Sequence, residues 1–145
     1  MKKVFKSFAI SLCSVAMFMF VSMTAKADDC SANVDKICDG YNAATQQMEQ
    51  SQDMQALMSV DMSNLIMKPL QDVDKDCYSY ELTQEDKDRL AEAFEKIFTT
   101  LVNKADEFSG GMAKGMLTNQ LNPMMEQYRT QLNNAKTLGD YVQMN

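Results

Sequence analysis

Histidine and tryptophan are absent from this 145-residue sequence, and proline occurs only twice. Without histidine the chain has no Ser-His or Cys-His nucleophile pair, lacks the commonest general base near neutral pH and loses the usual ligand of catalytic zinc. Carboxylates and thiols are the acid–base groups that remain in quantity. The sequence therefore favours a protein that is not an enzyme and that carries no cofactor.

Basic residues are scarce after the first 27 positions. All 20 acidic residues but only 10 of the 14 lysines and arginines follow position 27, which gives this part of the chain a formal net charge of 10 − 20 = −10. Since such a chain repels nucleic acid and anionic lipid headgroups, we expect no nucleic-acid partner. A basic protein, a cation or an unfolded polypeptide remains compatible with this charge.

The first 27 residues have the pattern of a secretory signal peptide. Three lysines lie within residues 1–6, an apolar run follows from Phe8 to Val21, and Ala25 and Ala27 are the small residues that a signal peptidase reads. An uncleaved anchor is the alternative, but this run is shorter than the ~20 residues that a membrane-spanning helix needs. We expect cleavage after Ala27. The remaining residues 28–145 then form a single helical domain, periplasmic or secreted, without stable membrane insertion.

The chain after residue 27 has the periodicity of helices. Apolar residues at intervals of three and four predict a first helix, which Ser31 caps and which Gly40 weakens by about 1 kcal/mol relative to alanine. A second helix is predicted from its cap Asp53 to about Met67, because Pro69 disfavours helical geometry at the residue before it. Helices joined by so short a turn pack antiparallel.

The strongest helix signal begins at Thr83. Its hydroxyl can cap a helix whose first turn carries acidic side chains, where the helix dipole favours negative charge. One apolar face then continues for about five turns to Phe108. Its other members are Leu90, Phe94, Ile97, Phe98, Leu101, Val102 and Ala105. This segment is the predicted central core helix, and the Gly110-Gly111 pair ends it or bends it sharply.

The last part of the chain predicts shorter helices. A helical piece is expected over residues 112–121, and a new helix begins at Asn122, because Pro123 suits the first helical position. Thr137 then caps a terminal turn. The predicted fold class is all-α, a bundle of four to five helices.

Three cysteines follow position 27, so one remains when two pair. Cys30 and Cys38 would lie about 12 Å apart along the first helix, beyond the roughly 7 Å that a disulfide allows. Cys77 is therefore the partner of one of them. We slightly favour Cys30–Cys77 over Cys38–Cys77, because the second helix returns towards the start of the first. Cys38 is then a free thiol, either buried or exposed and able to bridge two chains.

Ten of the 14 methionines follow position 27. Met54, Met58 and Met62 are spaced by four, and Met112 and Met116 repeat that spacing. Core packing is the favoured interpretation of the first group, since methionine fills irregular cores well. A flexible client-binding surface and a Cu(I) site of soft thioethers are the alternatives.

Three aspartates alternate as the first ligands of an EF-hand loop do: Asp72, Asp74 and Asp76. Cys77 stands where that loop requires glycine, and Thr83 stands where it requires a bidentate glutamate. We therefore interpret the segment as an acidic, solvated connector, with weak calcium binding as the alternative.

The run Leu82-Thr83-Gln84-Glu85-Asp86, which opens a long amphipathic helix, resembles the Leu-Thr-x-x-Gln motif of the Spy-type periplasmic chaperones. The resemblance covers five residues, and Asp86 stands where the family has glutamine. It implies an all-helical, ATP-independent protein that shields unfolded clients. As a whole, the chain resembles small uncharacterised secreted bacterial all-helical proteins, for which no activity is implied.

These observations lead to one functional expectation and one alternative. We expect a non-enzymatic protein that binds a protein partner or client through methionine and aromatic helix faces. The segment after Gly110-Gly111 has the weakest amphipathic pattern, so its apolar residues are the candidate partner-binding residues. They are Met112, Met116, Met124 and Met125. Copper handling by methionine is the alternative function, but no ligand set for a metal is assigned.

Overall fold

The computed structural model describes residues 29–145, and it is an all-α bundle, as predicted. The predicted signal peptide lies outside the described residues. The helices are α1 (29–50), α2 (Met54–Met58), α3 (Lys68–Gln71), α4 (Gln84–Phe108), α5 (Lys114–Asn134) and α6 (Leu138–Met144). A π-helical turn (Ser63–Met67) leads into α3, and a 3₁₀ turn (Lys75–Cys77) lies between α3 and α4.

α1 and α4 lie side by side and run in the same direction. Near their starts, Asp35 of α1 forms an ion pair with Arg89 of α4 at 2.6 Å. Near their ends, the Nζ of Lys104 donates to the carbonyl oxygen of Ser51, 3.4 Å away, just after α1. Because α1 and α4 point the same way, the α2–α3 segment that connects them must run back in the opposite direction, as the predicted antiparallel arrangement requires.

The Gly110-Gly111 turn reverses the chain between α4 and α5. Gly110 has a φ of 68° and Gly111 a φ of 91°, backbone conformations that other residues adopt only with strain. α5 is then one helix through Pro123, so the prediction of a new helix at Asn122 is wrong. Pro123 and Asn119 are both exposed, so water can replace the N–H that proline cannot donate to the carbonyl oxygen four residues earlier.

The start of α1 and its Gly40 also differ from the prediction. Residues 29 and 30 are already helical, so Ser31 lies inside α1 and does not cap it. Gly40 is a point of close approach: a Cβ atom there would collide with the carbonyl oxygen of Leu65 and lie 3.1 Å from the Pro69 ring. Glycine is therefore the residue that lets the returning segment pack against α1.

Pro69 does not end the second helical segment, contrary to the prediction. It lies in the first turn of α3, where a proline is tolerated because its missing N–H has no intrahelical partner. The π-helical turn Ser63–Met67 directly before it changes the hydrogen-bond pattern at the junction. The chain is thus helical from residue 62 to Gln71, whereas the single second helix that the sequence predicted is interrupted at residues 59–61.

The predicted caps of α4 and α6 are confirmed. The Thr83 hydroxyl accepts from the backbone N–H of Asp86 at 3.0 Å, and Asp86 in return accepts from the backbone N–H of Thr83 at 3.0 Å. Thr137 and Asp140 form the same reciprocal pair at the start of α6. Each pair satisfies backbone donors that a helix start leaves without partners.

The start of α1 is held to the segments around α4 and α6, and we name this region the disulfide end. It is defined by the Cys30–Cys77 disulfide, whose Cα atoms lie 5.2 Å apart, and by the backbone bridge between Glu81 and Thr137. This is the pairing that the sequence slightly favoured. The disulfide closes 47 residues, which include all of α1, α2 and α3 after Cys30.

Candidate functional site

Every large apolar side chain that is exposed within residues 29–145 is a methionine. The six are Met54, Met58, Met67, Met112, Met116 and Met124. The core, by contrast, is built from leucine, isoleucine, valine, alanine and tyrosine, with Met48 and Met125 as its buried methionines. Methionine therefore supplies all of the large exposed apolar side chains but only a small part of the core, which core packing alone does not explain.

Four of the exposed methionines lie at the end of the bundle opposite the disulfide end. α2 carries Met54 and Met58, follows directly after α1 and packs against α4. Met112 lies in the turn after α4, and Met116 lies in the first turn of α5. Because α1 and α4 run parallel, their C-terminal ends lie together. We call Met54, Met58, Met112 and Met116 the methionine end.

A groove of about 520 Å³ separates α4 from α5 and begins beside the methionine end. Its apolar lining is formed by Phe98, Val102, Leu121 and Met125. Because α4 contributes Glu95 to Asn103, the groove extends about 12 Å along that helix at 1.5 Å per residue. An extended chain of roughly four residues has this length.

The polar lining of the groove carries unused hydrogen-bonding groups. Thr99 and Asn103 are one turn apart on α4, and Thr118 and Asn122 are one turn apart on α5. None of these four side chains hydrogen-bonds another residue of the described chain. Their amides and hydroxyls offer donors and acceptors of the kind that recognise a peptide main chain.

Charged residues mark the two ends of the groove. At the end of the groove nearer the disulfide end, Arg129 of α5 forms an ion pair with Glu95 of α4, with 2.5 Å between Nε and Oε1. Lys114 stands at the other end, and its ammonium group forms no ion pair within residues 29–145. The groove therefore holds one cross-helix ion pair, the carboxylate of Glu126 and one cation that forms no ion pair within the described residues.

The structure separates the four predicted partner-binding residues. Met112 is 82% exposed and Met116 is 62% exposed, and both belong to the methionine end. Met124 is also exposed, but it lies ten residues into α5, about 15 Å from the helix start. Met125 is only 8% exposed and packs in the core beneath the groove, so its assignment as a surface contact is corrected. It follows Met124 by one position and thus falls on the inner face of α5.

The core interpretation of Met54, Met58 and Met62 is wrong for the first two. α2 ends at Met58, so the three side chains do not share one helix. Met62 packs partly against the core. Leu57 is the one buried residue of α2, and Met54 and Met58 are exposed. Met54, Met58 and Met62 therefore do not form the stacked thioether face that one version of the copper interpretation needed.

Aromatic side chains do not contribute exposed contact faces, contrary to the expectation. Each aromatic residue in the described chain is buried or half-buried. Phe98 alone lines the groove, and Phe108 lies half-buried near the methionine end under Lys104, whose Nζ is 5.6 Å from its ring centroid. The apolar contacts available at the surface are therefore those of methionine.

Cys38 is a buried free thiol, 4% exposed. Burial raises the pKa of Cys38 to about 11, although the nearby Arg89 guanidinium opposes this shift. The thiol therefore stays protonated and poorly nucleophilic near neutral pH. Its position favours the buried alternative over a bridge between chains.

Two of the three aspartates in the acidic connector have separate local roles. Asp72 pairs with Lys68 at 2.6 Å, and Asp74 accepts from the backbone N–H of Asp76 at 3.0 Å, capping the 3₁₀ turn. Within residues 29–145, no group of three or more cysteine, aspartate or glutamate side chains is placed to hold a metal ion. In the same residues, no helix is both long and apolar enough to cross a membrane.

The five residues that carry the chaperone resemblance form the start of α4. Leu82 is buried, Thr83 is the cap, and Asp86 is buried with its Oδ2 accepting from the Tyr80 hydroxyl at 3.0 Å. Their local role is to begin the helix. Comparison with protein-family models, with curated proteins and with solved structures finds no match to this chain.

Proposed function

We propose that this protein binds polypeptide segments that combine apolar and basic side chains, and that it does so at the methionine end and the adjoining α4–α5 groove. The observation that carries this proposal is that methionine supplies all the large exposed apolar side chains of residues 29–145. Methionine has three rotatable bonds and a polarizable sulfur, so such a surface adapts to partners of different shape.

The charge around the methionine end supports a basic partner. Glu49, Asp53, Asp61 and Glu107 are exposed near the ends of α1 and α4. Two lysines also lie at this end: Lys104 already pairs with Glu107 and the Ser51 carbonyl, and Lys114 still leaves the carboxylates in excess. A partner with lysine or arginine beside its apolar residues thus meets complementary charge, which speeds and orients association.

The groove adds a means of holding the main chain of the bound segment. Its apolar floor accepts side chains, while the amides of Asn103 and Asn122 can donate to and accept from peptide groups. Lys114 can pair with a carboxylate at one end of the segment. The methionines then supply adaptable apolar contact, and the groove supplies polar contact with the backbone.

The proposed location is the periplasm or the extracellular space. The Cys30–Cys77 pair at disulfide distance supports an oxidising compartment, where such bonds persist. The signal-peptide pattern of residues 1–27 supports the same location. Clients or partners would then be secreted polypeptides.

A labelled peptide of alternating leucine and lysine tests the proposal. The triple variant Met58→Gln, Met112→Gln, Met116→Gln should weaken peptide binding by about tenfold or more, since each buried methionine contributes roughly 1.5–3 kcal/mol. Met67→Gln is the matched control. Met67 is also exposed, but it lies away from the methionine end. Leu65, two residues before it, contacts α1 at Gly40, about 15 Å before the end of that helix.

The outcome distinguishes the surface from the overall charge. Equal binding by the triple variant and by the Met67→Gln control contradicts a role for the methionine end. A peptide with glutamate in place of lysine should bind the unchanged protein more weakly. Suppression of client aggregation by a several-fold excess of protein tests the chaperone version of the same function, and no suppression removes that version alone.

A further inference from the structure

The sulfur atoms of residues 29–145 lie either exposed to solvent or shielded from it. Cys30 and Cys77 lie at disulfide distance, and Cys38 is buried. Met58 and Met112 are 81% and 82% exposed, whereas Met48 is fully buried and Met125 is 8% exposed. Because oxidation of sulfur follows its exposure, the accessible thioethers are the oxidant-sensitive sulfur groups of the described residues.

We propose that the exposed methionines, foremost Met58, Met112 and Met116, are modification sites at which peroxide oxidises the thioether to a sulfoxide while the fold remains intact. The peroxide is the oxidant that the proposal requires. The sulfur lone pair attacks one peroxide oxygen, an S–O bond forms and the O–O bond breaks. Sulfur loses two electrons, and the other oxygen leaves as water with both protons.

The positions of the methionines explain why the fold persists. A sulfoxide is polar, and placing it inside the core would carry the cost of burying a polar group without a partner. Met48 and Met125 are the methionines for which this cost applies, and both are shielded from solvent. At Met58 and Met112 the sulfoxide remains in water, so its formation leaves the core packing unchanged.

Oxidation would also change what the methionine end can bind. Its apolar surface becomes polar when the thioethers carry oxygen, because methionine supplies the whole of it. The consequence is a loss of binding to apolar segments. This consequence rests on the proposed function, whereas the modification itself does not.

Peptide mass spectrometry after a timed exposure of the native protein to hydrogen peroxide tests the modification. Met58, Met112 and Met116, each read from the fragment ions of its peptide, should gain one oxygen at least about tenfold faster than Met48 and Met125, and the circular dichroism of the protein should stay unchanged. Equal rates at all five positions, or loss of helical signal as oxygen is added, would overturn the proposal. Peroxide added in urea should abolish the difference in rate.

A second variant separates the modification from the binding. In Met58→Leu, Met112→Leu, Met116→Leu the sulfur is removed, so the fast oxidation at these three positions should disappear, and peroxide should change the peptide affinity of this variant less than that of the unchanged protein. If the unchanged protein is oxidised selectively but never bound the peptide, the proposed function fails and the modification stands. If it binds equally well before and after selective oxidation, the consequence for binding is wrong.

Discussion

The hydroxyl of Tyr141 in α6 lies 2.6 Å from the hydroxyl of Tyr41 in α1 and 2.8 Å from that of Tyr128 in α5. All three side chains are buried, and Tyr128 also donates to the carbonyl oxygen of Leu90 in α4 at 3.5 Å. A continuous chain of hydrogen bonds therefore joins four helices inside the core, and every buried hydroxyl in it has a partner.

Replacing the central member of this chain should destabilise the protein. Tyr141→Phe keeps the ring but removes the one hydroxyl that contacts both neighbours, which leaves Tyr41 without its buried partner. We expect the free energy of unfolding to fall by about 1–3 kcal/mol, measured by urea denaturation. Tyr78→Phe is the matched control, since the Tyr78 hydroxyl makes no hydrogen bond within the described residues, and it should have little effect. A Tyr141→Phe variant as stable as this control would contradict the role of the chain.

Two glycines in helices should respond in opposite ways to alanine. In Gly40→Ala the new Cβ meets the Leu65 carbonyl and the Pro69 ring, so α1 must move away from its neighbour and the protein should lose stability. In Gly115→Ala nothing lies within 4 Å of the new Cβ, and helix propensity should stabilise α5 by about 0.5–1 kcal/mol. Thermal unfolding of both variants checks the pair; a gain in stability at Gly40 would show that the close approach relaxes freely.

Gly40 also shows where sequence reasoning about the fold stops. The apolar periodicity of α4, the Thr83 and Thr137 caps and the Gly110-Gly111 turn are local signals, and each predicted its element correctly. Local propensity misses the packing role of Gly40 and interprets Pro123 wrongly, because the surroundings of each residue are set by tertiary structure. A neighbouring carbonyl makes glycine necessary at the first position, and solvent makes proline tolerable at the second.

Stability should decrease at alkaline pH because buried acids hold their protons. The pKa of Cys38 rises from an ordinary 9.0 to about 11, and burial raises the pKa of Tyr41 from 10.0 to about 12. Between pH 9 and 12 the unfolded chain therefore binds fewer protons than the folded one, so the stability present below pH 9 is lost as the pH rises. Urea midpoints across this range measure the loss.

Cys38→Ala provides the control for this pH dependence. The variant should keep its midpoint up to the pH at which tyrosines ionise in the unfolded chain, whereas the unchanged protein begins to lose stability about one pH value earlier. If both proteins lose stability in parallel from pH 9 onward, repulsion among surface charges rather than the buried thiol is responsible.

Removal of the disulfide should cost a large part of the stability. The Cys30–Cys77 bond closes 47 residues, and the loop-entropy relation assigns such a closure about 4 kcal/mol. The double variant Cys30→Ser, Cys77→Ser should therefore lose about 4 kcal/mol of unfolding free energy, measured by urea denaturation. Cys38→Ser, which changes a thiol outside the disulfide, controls for the substitution itself, and a reductant should destabilise the unchanged protein but not the double variant.

The candidate site was predictable only in part. The weak amphipathic pattern after Gly110-Gly111 correctly marked Met112 and Met116 as exposed, because a helix without a strong apolar face buries little. The same argument placed Met125 at the surface wrongly, since one residue of helix rotation turns a side chain by 100° and the sequence pattern there is too weak to choose between neighbours. The groove has a faint sequence signal, threonine and asparagine four residues apart on both helices.

The two ends of this bundle differ in the contacts that hold the chain in place. A covalent bond, a backbone bridge and the packing of Gly139 against Tyr78 all lie at the disulfide end, while the other end is formed by a five-residue helix and a glycine turn. Thermal opening should begin where the fastening is weakest, so amide hydrogens of α2 exchange with solvent sooner than those at the start of α4. The methionine end can thus unfold locally while the disulfide end stays folded.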